Sequence, residues 1–401
     1  MQRAALDVVF TLGFNSWSAA AAGGFSFPEE RLAQVLIDDA RVRRLLVCDP
    51  FRSAARKLAR TLLGRSGAAF TASASAAHHG PVRLRRDEPA SPERLEQVYA
   101  SYERGIRRAA ARQGLQRPAV VTGNPLLAGF GDLSWAGPVT YYAWDDWAAS
   151  EPLRRWWPVY EQAFARVREK RRRVVAVSAV IIDRIRPAGP HAIVPNGIDP
   201  AEWKRLPAPP RWYAALPGPR LLYVGSLESR LDIAQITRLS GAFPRGSIVL
   251  VGRMHAPHHF APLRVLPNVV IHPAVARREI PALIAHADAG IIPHVRSRLT
   301  EAMSPLKLYE YLAGGRPVAA AELPGIVGVS DRVFCAPPGG DLVGATRRAL
   351  AAGPASEAER LSFVADNSWG RRFDTLLGLA LASGAPQEAE TGGESPSSPL
   401  T

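Results

Sequence analysis

The chain has 401 residues, of which 47% are hydrophobic and 21% charged, enough for two or three domains with buried cores. Its formal net charge of +14 and pI near 10.5 favour acidic partners such as nucleotides or an anionic lipid surface, although an Ala-, Arg-, Pro- and Gly-rich composition gives the same charge without any function. The two cysteines, Cys48 and Cys335, lie far apart, which excludes a disulfide scaffold and a cysteine-based zinc centre and fits a reduced, cytosolic compartment. Residues 1–12 show no secretory leader, and no uncharged apolar run approaches the roughly 18 to 20 residues that span a bilayer.

In chain order, residues 7–12 are a short apolar run ending at Gly13, and residues 42–48 are another. Between them residues 28–38 carry Leu32, Val35 and Leu36 at helical spacing. Residues 51–63 place Phe51, Ala55, Leu58 and Leu62 on one helical face, with Arg52, Arg56, Lys57 and Arg60 around the others. That pattern suits either an interfacial helix touching anionic lipid or an ordinary solvated face. Residues 118–122 read as a strand ending at Gly123-Asn124-Pro125, and residues 139–143 as a strand ending at Trp144-Asp145-Asp146-Trp147. Carboxylates beside aromatic rings at a strand end suit a sugar, and one of them could accept a hydroxyl proton. The two aspartates would equally cap a following helix. A long helix over 151–170, ending in the basic tract 166–173, leads to a strand over 173–177. Short apolar runs separated by helices predict a parallel, doubly wound sheet.

A turn at Pro195-Asn196-Gly197 closes this first half, and a proline-rich span at about 199–219 reads as a linker. The alternation then restarts, with strands at 221–224 (broken by Gly225), 248–251, 269–271 and 289–292. His255, His258 and His259 fall in a surface loop with no acidic or thiol ligand close by, so no metal site is expected. Residues 304–318 read as a short helix with marked ends: Ser304 as N-cap, Pro305 as first helical residue, and Gly314 or Gly315 as the left-handed stop. Lys307 then lies in the first turn, at the positive end of the helix dipole. A lysine is misplaced there unless an anion, most often a phosphate, sits between it and the helix. Glu310, one turn on, can accept bonds from a ribose, so the pair points to a nucleoside diphosphate. A strand at 317–321 and a final helix at 369–381 follow. The Ser/Pro/Gly/Glu-rich residues 383–401 are expected to be disordered.

From Val194-Pro195-Asn196-Gly197-Ile198-Asp199 onward, the motifs Leu222-Tyr223-Val224-Gly225-Ser226-Leu227, Val249-Leu250-Val251-Gly252, Asn268-Val269-Val270-Ile271-His272, Ala287-Asp288-Ala289-Gly290-Ile291-Ile292-Pro293 and residues 304–318 occur in a set order that Asn367-Ser368-Trp369 completes. In this the chain resembles the GT-B glycosyltransferases, in particular the group-4-like enzymes that build cell-surface polysaccharides. The resemblance implies an α/β fold of two Rossmann-like domains facing a central cleft: an acceptor domain over 1–198 and a nucleotide-sugar donor domain over 199–382. It further implies a cytoplasmic enzyme, or one peripheral on the inner face of the plasma membrane. Its partners would be a nucleotide-sugar donor, a glycan or lipid-linked acceptor and an anionic membrane surface, with no nucleic acid and no metal or other cofactor.

Carried over residue by residue, the resemblance gives Lys307 and Arg230 the donor pyrophosphate, Glu310 the ribose, and the loop His272-Pro273-Ala274-Val275 the base. Ser304 and Gly225 complete the donor site. Gly23 and Gly24 resemble the glycine pair that lets backbone approach the phosphate, and as residues they read equally as a flexible loop. The sequence departs from the family in two places. The glutamate usual eight residues before Glu310 is Ala302 here, with Glu301 one place out of register, and a first-domain histidine is replaced by Asp145 and Asp146, as in teichuronic-acid-type transferases. Retention of anomeric configuration is implied by the resemblance alone. Two other readings stay open: a nucleotide-sugar epimerase of the same architecture, and an inactive basic binding protein.

Overall fold

The computed structural model describes residues 5–382, apart from 56–58, 60–61, 63–67, 85–88 and 90. The expected tail and much of the basic tract after Phe51 lie outside these residues. Strands β1 (Leu6–Thr11), β2 (Val42–Cys48), β3 (Arg52–Ser53), β4 (Ala76–His79), β5 (Val82–Arg83), β6 (Ala119–Thr122), β7 (Val139–Ala143), β8 (Arg173–Ala176) and β9 (His191–Ile193) belong to the first half. Seven of them make one sheet in the order β4-β2-β1-β6-β7-β8-β9, with every pairing parallel, and β3 pairs with β5 beside it. Strands β10 (Arg220–Val224), β11 (Ser247–Val251), β12 (Val269–His272), β13 (Ala289–Ile292), β14 (Val318–Ala321) and β15 (Val333–Ala336) form a second parallel sheet in the order β12-β11-β10-β13-β14-β15. These are two doubly wound domains, as expected. In both, helices cover the two faces of the sheet, so central strands such as β7 and β11 are buried along their whole length, which is why their sequences run apolar without alternation. Along β10, Leu222 and Val224 face one core of the second domain and Leu221 and Tyr223 the other.

Three expectations change. The proline-rich span at 199–219 is not a free linker. It forms the short helices Pro200–Trp203 and Arg211–Ala214, and its Trp203 and Tyr213 are fully buried in the second domain's core. The chain crosses between the domains at Ile198 and again at Ser368, and the two crossings are paired: Ile198 N–H donates to Asn367 O at 3.0 Å and Trp369 N–H donates to Ile198 O at 2.9 Å. The final helix, Trp369–Ala380, returns through that second crossing and buries Trp369, Phe373, Leu376 and Leu377 in the first domain's core, although its sequence position groups it with the second domain. The long helix expected at 151–170 is a 3-10 segment, Glu151–Trp156, followed by an α-helix, Trp157–Glu169. Pro158, which lacks an N–H, opens the second piece.

Candidate active site in the interdomain cleft

The two sheets direct the C-terminal ends of their strands at one cleft, where ligands of such folds bind. Its cavity has a volume of about 450 Å3. The second domain contributes Gly225, Arg230, Val275, Lys307 and Glu310, and the first contributes Gly23, Phe27, Trp144 and Asp145. Among the residues lining this cavity, Gly23, Asp145, Gly225, Arg230, Val275, Ser304, Lys307 and Glu310 are candidates named from sequence. Gly24 does not line it. That residue has φ +68 and no atom within 4 Å of where a Cβ would stand, so it serves as a loop glycine. Gly23 caps the preceding helix Trp17–Ala22.

The helix carrying Lys307 spans Leu306–Ala313. Pro305, not Ser304, occupies the N-cap, with no side-chain capping bond, and Gly315 rather than Gly314 is the left-handed residue, at φ +71. Lys307 nevertheless stays in the first turn. Ser304 does other work: its Oγ accepts the Asn196 N–H at 3.1 Å and its carbonyl accepts the Asn196 amide at 2.6 Å, which pins the domain crossing to the start of the helix carrying Lys307. Gly225, at φ +141, brings the end of β10 against the lysine. A Cβ there would lie 3.2 Å from Lys307 Cε, and Lys307 Nζ sits 5.0 Å from the centre of the Tyr223 ring.

In the cleft, burial shifts a cation and a carboxyl toward their neutral forms. Burial, with Arg230 beside it, pulls the Lys307 ammonium down to about 7. Arg230 is tied to Glu228 and its Nη1 lies 3.3 Å from Met303 Sδ. Across the gap burial pushes the Asp145 carboxyl up to about 6, against the pull of Arg230. Asp146 points elsewhere. It is 1% exposed, paired with Arg184, and accepts the Ala148 N–H at 3.1 Å, so only the first aspartate faces the cleft. The two expected roles, cleft carboxylate and local cap, are divided between neighbours. Ala302 is also buried in the first domain's core, and Met303 takes its place on the cavity wall.

Sequence reasoning missed Arg277. It pairs with Glu310 and holds Glu202 at 2.6 Å, and Glu202 in turn holds Arg31 of the first domain at 2.7 Å. The signal was its place two residues after Val275, diluted among 50 lysines and arginines.

Comparison with solved structures identifies the architecture as GT-B. A sucrose-phosphate synthase from Thermosynechococcus elongatus superimposes with a TM-score of 0.68 at 17% identity, over 93% of this chain and 98% of that one. An Escherichia coli trehalose-6-phosphate protein described with UDP-2-fluoro glucose gives 0.67 at 10% identity, over 95% and 100%. By sequence, the chain is 32% identical over 104 residues to TuaH of Bacillus subtilis (strain 168), named as a teichuronic acid biosynthesis glycosyltransferase; the match spans 25% of this chain and 26% of the relative. No protein-family model matches. Both comparisons lead to glycosyltransferases, and the expected fold and resemblance hold.

Proposed function

We propose that this chain is a retaining, metal-independent glycosyltransferase. It would move a sugar from a nucleoside diphosphate sugar in the cleft to a hydroxyl of a cell-surface glycan or lipid-linked acceptor. The observation that carries this reading is the convergence of Lys307, Arg230 and a helix N-terminus on one cavity, with Glu310 one turn further on. The acceptor oxygen bonds to the anomeric carbon as the bond from that carbon to the diphosphate oxygen breaks. The nucleoside diphosphate leaves with its added charge facing Lys307 and Arg230, placed where charge develops. The hydroxyl proton passes to Asp145, which is ionised at neutral pH and close enough to neutrality to accept it, or to the departing diphosphate.

Attachment to an anionic membrane surface belongs to the same reading. Val82 and Leu84, on either side of Arg83, are 48% and 97% exposed, and cosedimentation with phosphatidylglycerol vesicles but not with neutral ones is the expected result. Phe51, expected on the lipid-facing side, instead stacks on Tyr102 with ring centres 5.0 Å apart.

A thermal-shift panel of UDP, GDP and ADP, with and without Mg²⁺, tests the donor site. Ligand at 100 times its Kd adds about 2.7 kcal/mol of stability. One diphosphate should raise Tm without metal, and Lys307→Ala should abolish the rise. No shift with any nucleotide sinks the reading in favour of a basic binding protein.

A further inference from the structure

The helix carrying Lys307 gives the cleft a direction. Glu310 follows Lys307 by three residues and Ser304 precedes it by the same number, and all three line the cavity. A nucleoside diphosphate sugar with its diphosphate on Lys307 and its ribose at Glu310 therefore extends its sugar toward Ser304. Asn196 stands at that end. It lines the cavity too, although in the sequence it reads only as part of a turn.

Asn196 lies on the first crossing between the domains and is 7% exposed. Its backbone N–H donates to Ser304 Oγ at 3.1 Å, and its Nδ2 donates to the Ser304 carbonyl at 2.6 Å. A carbonyl can only accept, so the amide cannot be turned the other way round, and Oδ1 is directed away from Ser304. That oxygen is buried, and no donor among the described residues reaches it. Folded proteins seldom leave a buried acceptor unpaired. The polar neighbours at this end of the cleft do not supply its bond. Met303 brings a thioether held against Arg230, and the carboxyl of Asp145 stands on the opposite wall. An uncharged amide oxygen is also a poor partner for phosphate and a good one for a hydroxyl.

We infer that Asn196 contacts the transferred sugar, its Oδ1 accepting the hydrogen bond of one sugar hydroxyl. The word sugar rests on the donor-site reading, whereas the unpaired oxygen on a residue of the cavity wall does not. Because the same amide holds Ser304, a merely structural Asn196 would also weaken ligands when replaced, and the test must separate the two roles.

UDP-glucose, GDP-mannose and ADP-glucose, each beside its own diphosphate, are titrated into the full-length protein by calorimetry. Asn196→Ala should weaken the tightest nucleotide sugar about three- to tenfold more than its diphosphate, the worth of one neutral hydrogen bond. Asn196→Asp keeps an oxygen on the cavity side but sets its second oxygen against the Ser304 carbonyl. It should lower Tm at pH 8 while leaving the ratio of the two affinities near the native value. Among the 2-, 3-, 4- and 6-deoxy forms of the same sugar, one should bind the native protein weakly by that same factor and show no such deficit in Asn196→Ala. Equal weakening of nucleotide sugar and diphosphate in Asn196→Ala overturns the inference. So does a ratio that falls in step with Tm across both variants, or a deoxy series whose losses persist without the asparagine. Diphosphate affinity is read separately: a native protein that binds no nucleotide sinks the donor site itself, whereas one that binds the diphosphate and passes none of the sugar tests sinks only the role of Asn196.

Discussion

At the scale of single residues, the cleft is organised around a lysine whose charge is held in check. Burial and the neighbouring Arg230 bring Lys307 to about 7, well below an unfolded lysine, so the empty folded protein disfavours the charged form. The unfolded chain then binds the extra proton, and this group makes the empty protein more stable as pH rises from about 7 toward 10. A bound diphosphate reverses the preference, because it favours the ammonium and binding takes up a proton. Affinity for the responding nucleoside diphosphate should therefore fall as pH rises above 7, by up to about tenfold per unit. Calorimetry at pH 6.5, 7.5 and 8.5 in buffers of different ionisation heat reads both the Kd and the proton. Lys307→Met should bind weakly with a flat pH profile, and a flat profile in the native protein would remove this lysine from the site. Lys307 and Glu310 could be singled out as candidates because a cation in the first turn of a helix violates a local rule, and a broken local rule is a pointer to a site. Arg277 could not, since its partners Glu310 and Glu202 lie 33 and 75 positions away and only the fold brings them together.

At the scale of elements, the turn after β7 shows how a short sequence divides its duties. Asp145 faces the cleft, and Asp146 turns back to Arg184 on the helix Ala179–Ile185. The adjacent carboxylates could not be told apart from sequence, because which of them faces inward depends on an arginine 38 positions on. They should separate on substitution. Asp146→Asn leaves Arg184 without its buried counter-charge and should cost about 3–5 kcal/mol, seen as a lower Tm. Asp145→Asn should keep the native Tm and reduce kcat by about 10²–10⁴. Equal losses of stability in the two variants, or near-normal turnover in Asp145→Asn, would contradict this division. The strands were the most legible elements: β7 and β13 begin and end where their apolar runs do, because buried parallel strands need no alternation, and β2 keeps its expected bounds although it opens on the exposed Arg43 and Arg44. The long helix Pro92–Arg112 escaped notice because its buried residues, such as Tyr99, Tyr102 and Ile106, are spaced among many charges.

At the scale of the molecule, the two domains are joined by two crossings that run side by side, Ile198 pairing with Ser368, so they form one narrow axis about which the cleft can open. Sequence could not show this, since the returning segment lies about 170 residues from the first and its helix belongs by packing to the other domain. The ionic chain from Arg31 through Glu202 and Arg277 to Glu310 spans the same gap, linking a first-domain helix to the carboxylate proposed to hold the ribose. Arg31 is the link that can be cut alone. Its loss leaves Glu202 paired with Arg277, so no buried charge is stranded, and the cost to stability should be only about 1 kcal/mol. What changes is the balance between open and closed forms, and a donor that needs the closed form binds more weakly in proportion to its lost population. Arg31→Gln should therefore raise the radius of gyration of the empty protein in X-ray scattering and weaken the nucleoside diphosphate several-fold, with Tm nearly unchanged. Saturating diphosphate should bring the radius back to the native value. If both radius and Kd match the native protein, the chain of charges is an ornament of the closed form and does not hold the domains together.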